Sequence, residues 1–108
     1  MSAPLKRHAF KMKLKPGTLA EYQRRHEEIW PELAVALKAA GISDYSIFVD
    51  EETLTLFAVQ KLAEGHTAGA LPGLAIVQRW WDYMAPLMAH NEDRSPSAFA
   101  LREMFHLS

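Results

Sequence analysis

Alternation of apolar and polar residues near the start of the chain predicts a half-buried β-strand over residues 7–15. His8, Phe10, Met12 and Leu14 face one side of this strand, and mostly basic residues face the other. Two further apolar stretches, residues 45–50 and 54–61, predict strands joined by a polar turn into a hairpin. Both hairpin strands are apolar on both sides, so each face of the sheet needs a cover.

A long stretch after the turn at Pro16 and Gly17 has apolar residues at helical spacing. We expect the helix to start at Thr18, because Thr18 and Glu21 match a capping box, and to close at Gly41. Proline removes a backbone donor and clashes with the preceding turn. The helix should therefore break near Trp30 and restart with Pro31 as its first residue.

The second half of the chain predicts one more helix and one more strand. Apolar residues recur at helical spacing over residues 74–88, and a polar loop follows them. Residues 101–107 alternate well enough for a closing strand. The stretch 63–73 contains three glycines and a proline, and the sequence leaves it open as a short helix or a loop.

The predicted order of elements is strand, helix, hairpin, helix, strand. This is the order of a ferredoxin-like α+β domain, in which an antiparallel sheet has both helices on one face. The other face would then expose a large apolar patch, which soluble proteins normally cover. A second copy of the chain packing sheet to sheet is the simplest cover, so we expect a symmetric homodimer.

Composition narrows the classes of partner and the cellular location. The chain has 108 residues, which suits a single domain over residues 1–108, and a formal net charge of -1, which argues against wholesale binding to nucleic acid. No apolar run is long enough to span a membrane, and residues 1–6 have no secretory pattern. The chain has no cysteine. We therefore expect a cytoplasmic protein that binds a small or neutral ligand.

Two groups of side chains could carry chemistry. Tyr22 and His26 lie four residues apart on the apolar side of the first helix, so they are neighbours turned towards the sheet. They are either core residues whose polar atoms find a carbonyl or water, or a pocket in which His26 handles protons. Trp80 and Trp81 could hold the C–H faces of a sugar, although adjacent side chains diverge on a helix. Tyr45 lies on a strand face.

The motifs for metal and cofactor binding are missing from the sequence. There is no HxH or HExxH spacing, no glycine-rich phosphate loop and no Rossmann fingerprint. We therefore expect neither a metal nor an organic cofactor.

Two blocks of sequence resemble the L-rhamnose mutarotase family. The first is Glu-Tyr-Gln-Arg-Arg-His at residues 21–26 with Ile-Trp-Pro-Glu-Leu at residues 29–33, and the second is Gln-Arg-Trp-Trp at residues 78–81 with Tyr-Met after one residue. The resemblance runs from about residue 6 to residue 107. It differs at residues 63–73, where Ala68 stands near the place of an expected tryptophan, and this bears on sugar selectivity.

This resemblance implies a dimeric α/β barrel that interconverts the α and β anomers of L-rhamnose without a cofactor. By the matching motifs, it implies that His26 is the proton donor. The residues that it implies for binding the sugar are Tyr22, Tyr45, Trp80 and Trp81. His26 would protonate the ring oxygen, and Tyr22 or a water molecule would assist at the anomeric hydroxyl, the identity of the base being left open.

Two other functions fit the same architecture, because a fold does not determine a function. One is a cofactor-independent monooxygenase of the dimeric α/β-barrel type. The other is a non-catalytic sugar-binding module, in which the aromatic side chains bind the sugar and His26 only donates a hydrogen bond. Exchange between anomers distinguishes the mutarotase from both.

Overall fold

A computed structural model describes residues 6–108 of the chain; residues 1–5 lie outside the described residues, and with them most of the segment predicted to lack a secretory signal. Two short 3-10 turns occur at Ala68–Gly73 and Ala85–Leu87. No helix in the described part of the chain is long and apolar enough to cross a membrane. The strands and α-helices are β1 Lys6–Lys13, α1 Leu19–Glu27, α2 Pro31–Ala39, β2 Ile42–Asp50, β3 Thr55–Leu62, α3 Ala75–Met84 and β4 Phe99–Leu101.

The four strands form one antiparallel sheet in the order β2-β3-β1-β4. The predicted α+β class and the predicted order of elements are confirmed, with the first helix divided into α1 and α2. The register places Phe10 opposite Ala58 and Met12 opposite Leu56, so the even-numbered residues of β1 and β3 share one face. This inner face carries the helices.

The core lies between the inner face of the sheet and the helices. Leu56 and Ala58, on β3, which is one of the two central strands, have almost no exposed surface. They pack in one cluster with buried residues from all three helices, which are Tyr22, Leu33, Val77, Trp80 and Met84. The outer face of the sheet has no such layer of helices among the described residues.

The predicted break at Pro31 and the predicted stop at Gly41 are both confirmed. Trp30 has an extended backbone and Pro31 is the first residue of α2, where its missing N–H removes no helical hydrogen bond. Gly41 follows α2 with a φ of +92°, a conformation that side chains with a Cβ atom rarely adopt.

The predicted capping box at Thr18 is wrong, although α1 does begin directly after Thr18. The Thr18 hydroxyl lies 2.7 Å from the carbonyl oxygen of Lys15 and 2.8 Å from that of Leu87, so it donates to these groups and caps nothing. Glu21 instead pairs with Arg24 and Arg25, which hold the pKa of its carboxyl at about 2. Charged partners outcompete a backbone N–H for this carboxylate.

Two boundaries in the second half differ from the prediction, and the stretch that the sequence left open is now defined. The helix predicted over residues 74–88 ends at Met84 because Pro86 has no N–H for an α-helical hydrogen bond, and the chain continues as a 3-10 turn. Residues 63–73 contain a 3-10 helix from Ala68. The closing strand is present but lies earlier than the predicted residues 101–107, since β4 covers Phe99–Leu101 and residues 102–108 have no ladder with β1.

Candidate active site

A cavity of about 1170 Å³ lies between the helices and the inner face of the sheet. Its walls are mainly apolar, with residues such as Phe10, Met12 and Leu56 from the sheet. The structure brings all of the predicted site residues to this cavity. They come from α1, β2 and α3 and are Tyr22, His26, Tyr45, Trp80 and Trp81.

His26 has one ring nitrogen committed to the backbone of its own helix. Its Nδ1 lies 3.1 Å from the carbonyl oxygen of Tyr22, one turn earlier. Because a carbonyl only accepts hydrogen bonds, Nδ1 carries the proton of this contact, and Nε2 is left for chemistry. Burial lowers the pKa of His26, and the bond to the Tyr22 carbonyl only partly opposes that effect.

Aromatic rings hold the imidazole of His26 on two sides. The Tyr22 ring lies 4.4 Å from it, centroid to centroid, and the Trp80 ring meets it edge to face at 5.4 Å. Trp80 in turn packs edge to face against Trp30 at 5.1 Å. With Nδ1 also hydrogen-bonded, the imidazole has a fixed position and orientation.

Arg25 links the helix that carries His26 to the helix that carries the tryptophans. Its guanidinium lies 4.0 Å from the centre of the Tyr83 ring and donates a hydrogen bond to the Tyr83 carbonyl. Its Nε also donates to Glu21, over 2.6 Å. Since Arg25 is largely buried, these contacts fix α1 against α3, and thereby His26 against Trp80.

Tyr45 reaches the cavity through an irregularity in β2. The register of β2 against β3 shifts between Ser43 and Ser46, and Asp44 has a φ of +48°. A bulge of this kind redirects the following side chain. The Tyr45 ring meets Phe10 edge to face at 6.4 Å, below the helices.

Both tyrosine hydroxyls are neutral at physiological pH. Burial raises the pKa of Tyr22, and the nearby Tyr45 raises it further. Tyr45 is 38% exposed over its whole surface, yet the protein around its hydroxyl raises its pKa to about 12. Each hydroxyl can therefore donate a hydrogen bond to a ligand, and neither supplies a phenolate base.

The two tryptophans line the cavity in different ways. Trp80 is buried in the core cluster, whereas Trp81 packs at the edge of that cluster and is partly exposed. Their side chains diverge, as expected for adjacent positions on α3. Trp80 therefore supports His26, and Trp81 offers an accessible ring face.

Gln60 and His8 are among the polar residues of the cavity that the sequence did not mark as site residues. They are opposite each other on β3 and β1, and the Gln60 Nε2 lies 3.2 Å from the His8 Nδ1. The alternation of β1 already placed His8 on the same side as Phe10 and Met12, and that was the available signal. Gln60 had no signal beyond its position in a strand.

The donor chemistry of a metal site is not assembled in this cavity. No group of three His, Cys, Asp or Glu side chains within residues 6–108 could hold a metal ion. The polar groups that line the cavity are imidazole, phenol, indole and amide groups, the hydroxyl of Ser95 and one carboxylate, that of Glu27. Such groups form hydrogen bonds with a hydroxylated ligand.

Comparison with known proteins shows similarity over nearly the whole chain. The family model for L-rhamnose mutarotase matches residues 7–107. A relative named L-rhamnose mutarotase from Acidiphilium cryptum is 57% identical over 99 residues, which cover 92% of this chain and 95% of that protein. Another with this name, from Bacteroides thetaiotaomicron, is 52% identical over 103 residues, or 95% of this chain and 99% of that one.

A solved structure shows the same similarity in three dimensions. The crystal structure of an L-rhamnose mutarotase from Formosa agariphila matches with a TM-score of 0.88 at 48% sequence identity. The match covers 95% of this chain and 99% of that one. Sequence and backbone therefore agree from one end of the described chain to the other.

Proposed function

The chain belongs to the L-rhamnose mutarotase family, and from this we propose that it interconverts the α and β anomers of L-rhamnopyranose, with His26 as the proton donor. The observation that carries the proposal is the His26 imidazole, fixed through Nδ1 and facing a cavity with hydroxyl and indole groups. The monooxygenase and the non-catalytic binding module are not favoured, because the similarity covers nearly the entire chain of mutarotases.

The reaction opens and recloses the pyranose ring. A proton is added to the ring oxygen, the bond between C1 and that oxygen breaks, and the anomeric hydroxyl loses its proton as C1 becomes an aldehyde. Rotation about the bond between C1 and C2 presents the other face of the aldehyde, and the steps reverse. No atom is gained or lost, so the enzyme is an isomerase. A positioned general acid contributes about 10²–10⁴-fold to such a step.

His26 Nε2 donates the proton to the ring oxygen. The bond from Nδ1–H to the Tyr22 carbonyl keeps the imidazole in one orientation throughout the cycle. Because burial lowers the pKa of His26, the imidazolium gives up its proton readily. The neutral imidazole that results suits the apolar walls and takes the proton back from solvent or from the reclosing sugar.

The other predicted residues bind and orient the sugar. Tyr22 and Tyr45 donate hydrogen bonds from neutral hydroxyls, and a water molecule takes the proton of the anomeric hydroxyl, since neither tyrosine is a phenolate. Trp81 presents a ring face to the C–H groups of the sugar. Trp80 lies beside His26, with the two rings nearly perpendicular.

Exchange spectroscopy at the anomeric protons of equilibrated L-rhamnose tests the proposal. Wild-type protein should transfer magnetisation between the α and β signals, and His26→Ala should slow this exchange by about 10²–10⁴-fold. His90→Ala is the matched control, because His90 is not among the residues that line the cavity and its Nδ1 donates a hydrogen bond to the Asn91 carbonyl. Full exchange in His26→Ala would exclude the assigned role, and no exchange in the wild type would favour a binding module.

We also propose that two copies form a homodimer by packing the outer faces of their sheets together, which closes the dimeric α/β barrel. The register aligns Phe48, Phe57 and Phe99 across this face, with Lys11 between the last two. Phe48 is 64% and Phe99 is 60% exposed in the single chain. Exposed aromatic surface of this extent on one sheet face supports a protein partner. The cytoplasmic location stays a prediction.

A further inference from the structure

Gln60 is unusual among the residues of the inner sheet face. It is only 7% exposed and is the one polar residue in the buried core within residues 6–108. Its neighbours on the same strand and face are Ala58 and Leu62, and it lies at the wall of the cavity. An amide buried among apolar residues is costly unless its hydrogen-bonding groups are used.

The contact with His8 uses only one end of the Gln60 amide. The Nε2–H donates to His8 Nδ1 over 3.2 Å, which places the proton of a neutral His8 on Nε2. The Gln60 Oε1 makes no hydrogen bond with a described residue. Within residues 6–108, every side-chain oxygen that is fully shielded from solvent has a hydrogen-bond partner, so Oε1 is not fully shielded. Oε1 is therefore accessible from the cavity.

Gln60 and His8 share their wall of the cavity with Tyr45. The bulge of β2 contains Asp44 and Tyr45, and it lies opposite Gln60 on β3. The paired residues on either side of it are Ser43 with Lys61 and Ser46 with Val59. On the other side, the His8 ring lies 5.3 Å from the Phe10 ring that packs against Tyr45. A ligand that touches the Tyr45 hydroxyl from within the cavity is therefore bound at the same wall as the amide.

We propose that Gln60, positioned by His8, binds one hydroxyl of the sugar and so determines which sugars the enzyme accepts. Oε1 accepts a hydrogen bond from one ring hydroxyl of the pyranose, and the contact with His8 holds the amide in the orientation that allows this bond. The inference rests on the proposed function and adds a specificity-determining residue to it. A site built to bond a hydroxyl rejects an analogue without that hydroxyl, because the buried amide is then left unpaired.

The test compares wild type and Gln60→Leu on L-rhamnose and on its 2-deoxy, 3-deoxy and 4-deoxy analogues. On L-rhamnose, Gln60→Leu should lower kcat/KM about three- to tenfold, mainly through a higher KM, as expected for one lost neutral hydrogen bond. On the one analogue that lacks the bonded hydroxyl, the two enzymes should have the same kcat/KM. A loss of the same factor on all four sugars, or no loss on L-rhamnose, would overturn the proposal.

A control variant and a direct measurement keep the result interpretable. Thr55→Val removes a polar group from the same strand outside the cavity and should leave the kinetics unchanged. In the unmodified protein, L-rhamnose should shift the side-chain NH₂ signal of Gln60 in nitrogen-15 spectra, even if Gln60→Leu does not fold. An unshifted signal at saturating sugar contradicts the proposal. A shifted signal without anomer exchange would instead refute the proposed function and retain the subsite.

Discussion

His26 lies where two local influences act on its proton in opposite directions. Removal from water favours the neutral imidazole, whereas the Tyr22 carbonyl at Nδ1 favours the imidazolium. Desolvation is the larger of the two, so the pKa lies below its usual 6.5. At neutral pH most His26 side chains therefore lack the proton that the proposed mechanism requires.

The pH dependence of the exchange rate tests the direction of this effect. If His26 acts as the acid, kcat/KM should increase as the pH is lowered from 8. The increase should be about tenfold per pH unit above the His26 pKa, and kcat/KM should be constant below that pKa. The midpoint should lie below 6.5. Exchange spectroscopy from pH 5 to 8 checks this, after subtraction of the rate without enzyme.

The opposite slope would identify neutral His26 as a base acting on the anomeric hydroxyl. The free energy of unfolding must be measured over the same pH range, and the lowered pKa of His26 also determines the direction in which it changes. Because the pKa is lower in the folded than in the unfolded chain, the unfolded state binds more protons as the pH falls below 6.5, and stability declines in that window. Circular dichroism at each pH separates this loss from a kinetic effect.

Site residues that are neighbours on one helix could be predicted from the sequence. Site residues that meet across two strands could not, because their contact depends on the register of the sheet. Tyr22 and His26 are four apart, so their contact follows from helix geometry alone. Gln60 meets His8 across 52 residues, and that pairing depends on which strands become neighbours and in which register. Even Tyr45 needed the bulge at Asp44 to face the cavity.

Among the structural elements, the turn after α2 connects the fold most directly to the cavity wall. A Cβ atom added at Gly41 would lie 2.9 Å from the His66 Cβ and 3.2 Å from the His66 Cα. A backbone hydrogen bond also connects the two segments, because the Thr67 N–H donates to the Ala40 carbonyl over 2.8 Å. His66 lines the cavity, so this turn sets the position of that wall.

Gly41→Ala and Gly17→Ala form a matched pair at this scale. Both glycines have positive φ, +92° and +78°, but a Cβ atom at Gly17 meets nothing within 4 Å. Gly17→Ala should therefore cost about 1 kcal/mol of unfolding free energy from backbone strain alone, and Gly41→Ala about 2–4 kcal/mol, because His66 must also move. Urea denaturation measures both, and equal costs would show that the contact with His66 is unimportant.

Elements whose signals are local were predicted well, and elements that depend on distant partners were not. Pro31 breaks a helix by its own covalent structure, and Gly41 ends one by its own freedom at positive φ. The capping box failed because Thr18 found the Leu87 carbonyl, which is 69 residues away. The closing strand lies at Phe99–Leu101 rather than at residues 101–107, because alternation alone does not show which residues have a neighbouring strand to pair with.

The two faces of the sheet differ: helices and the cavity lie on the inner face, and exposed aromatic residues lie on the outer face. Apolar exposure continues past β4, where Met104, Phe105 and Leu107 are all about four-fifths exposed. The sequence predicts a dimer from strands that are apolar on both sides, and the exposed outer face is the surface on which that prediction depends.

Sedimentation equilibrium of wild type, Phe48→Glu and Val35→Glu tests the dimer at the scale to which it belongs. Phe48 lies in the aromatic row of the outer face, and a twofold interface would bury the new carboxylate once from each copy. The dissociation constant should therefore rise by about 100-fold or more, giving monomers at micromolar concentration. Val35, on α2, is 67% exposed and lies away from the sheet, so Val35→Glu should stay dimeric. If the wild type sediments as a monomer, or if both variants dissociate equally, the outer sheet face is not the interface.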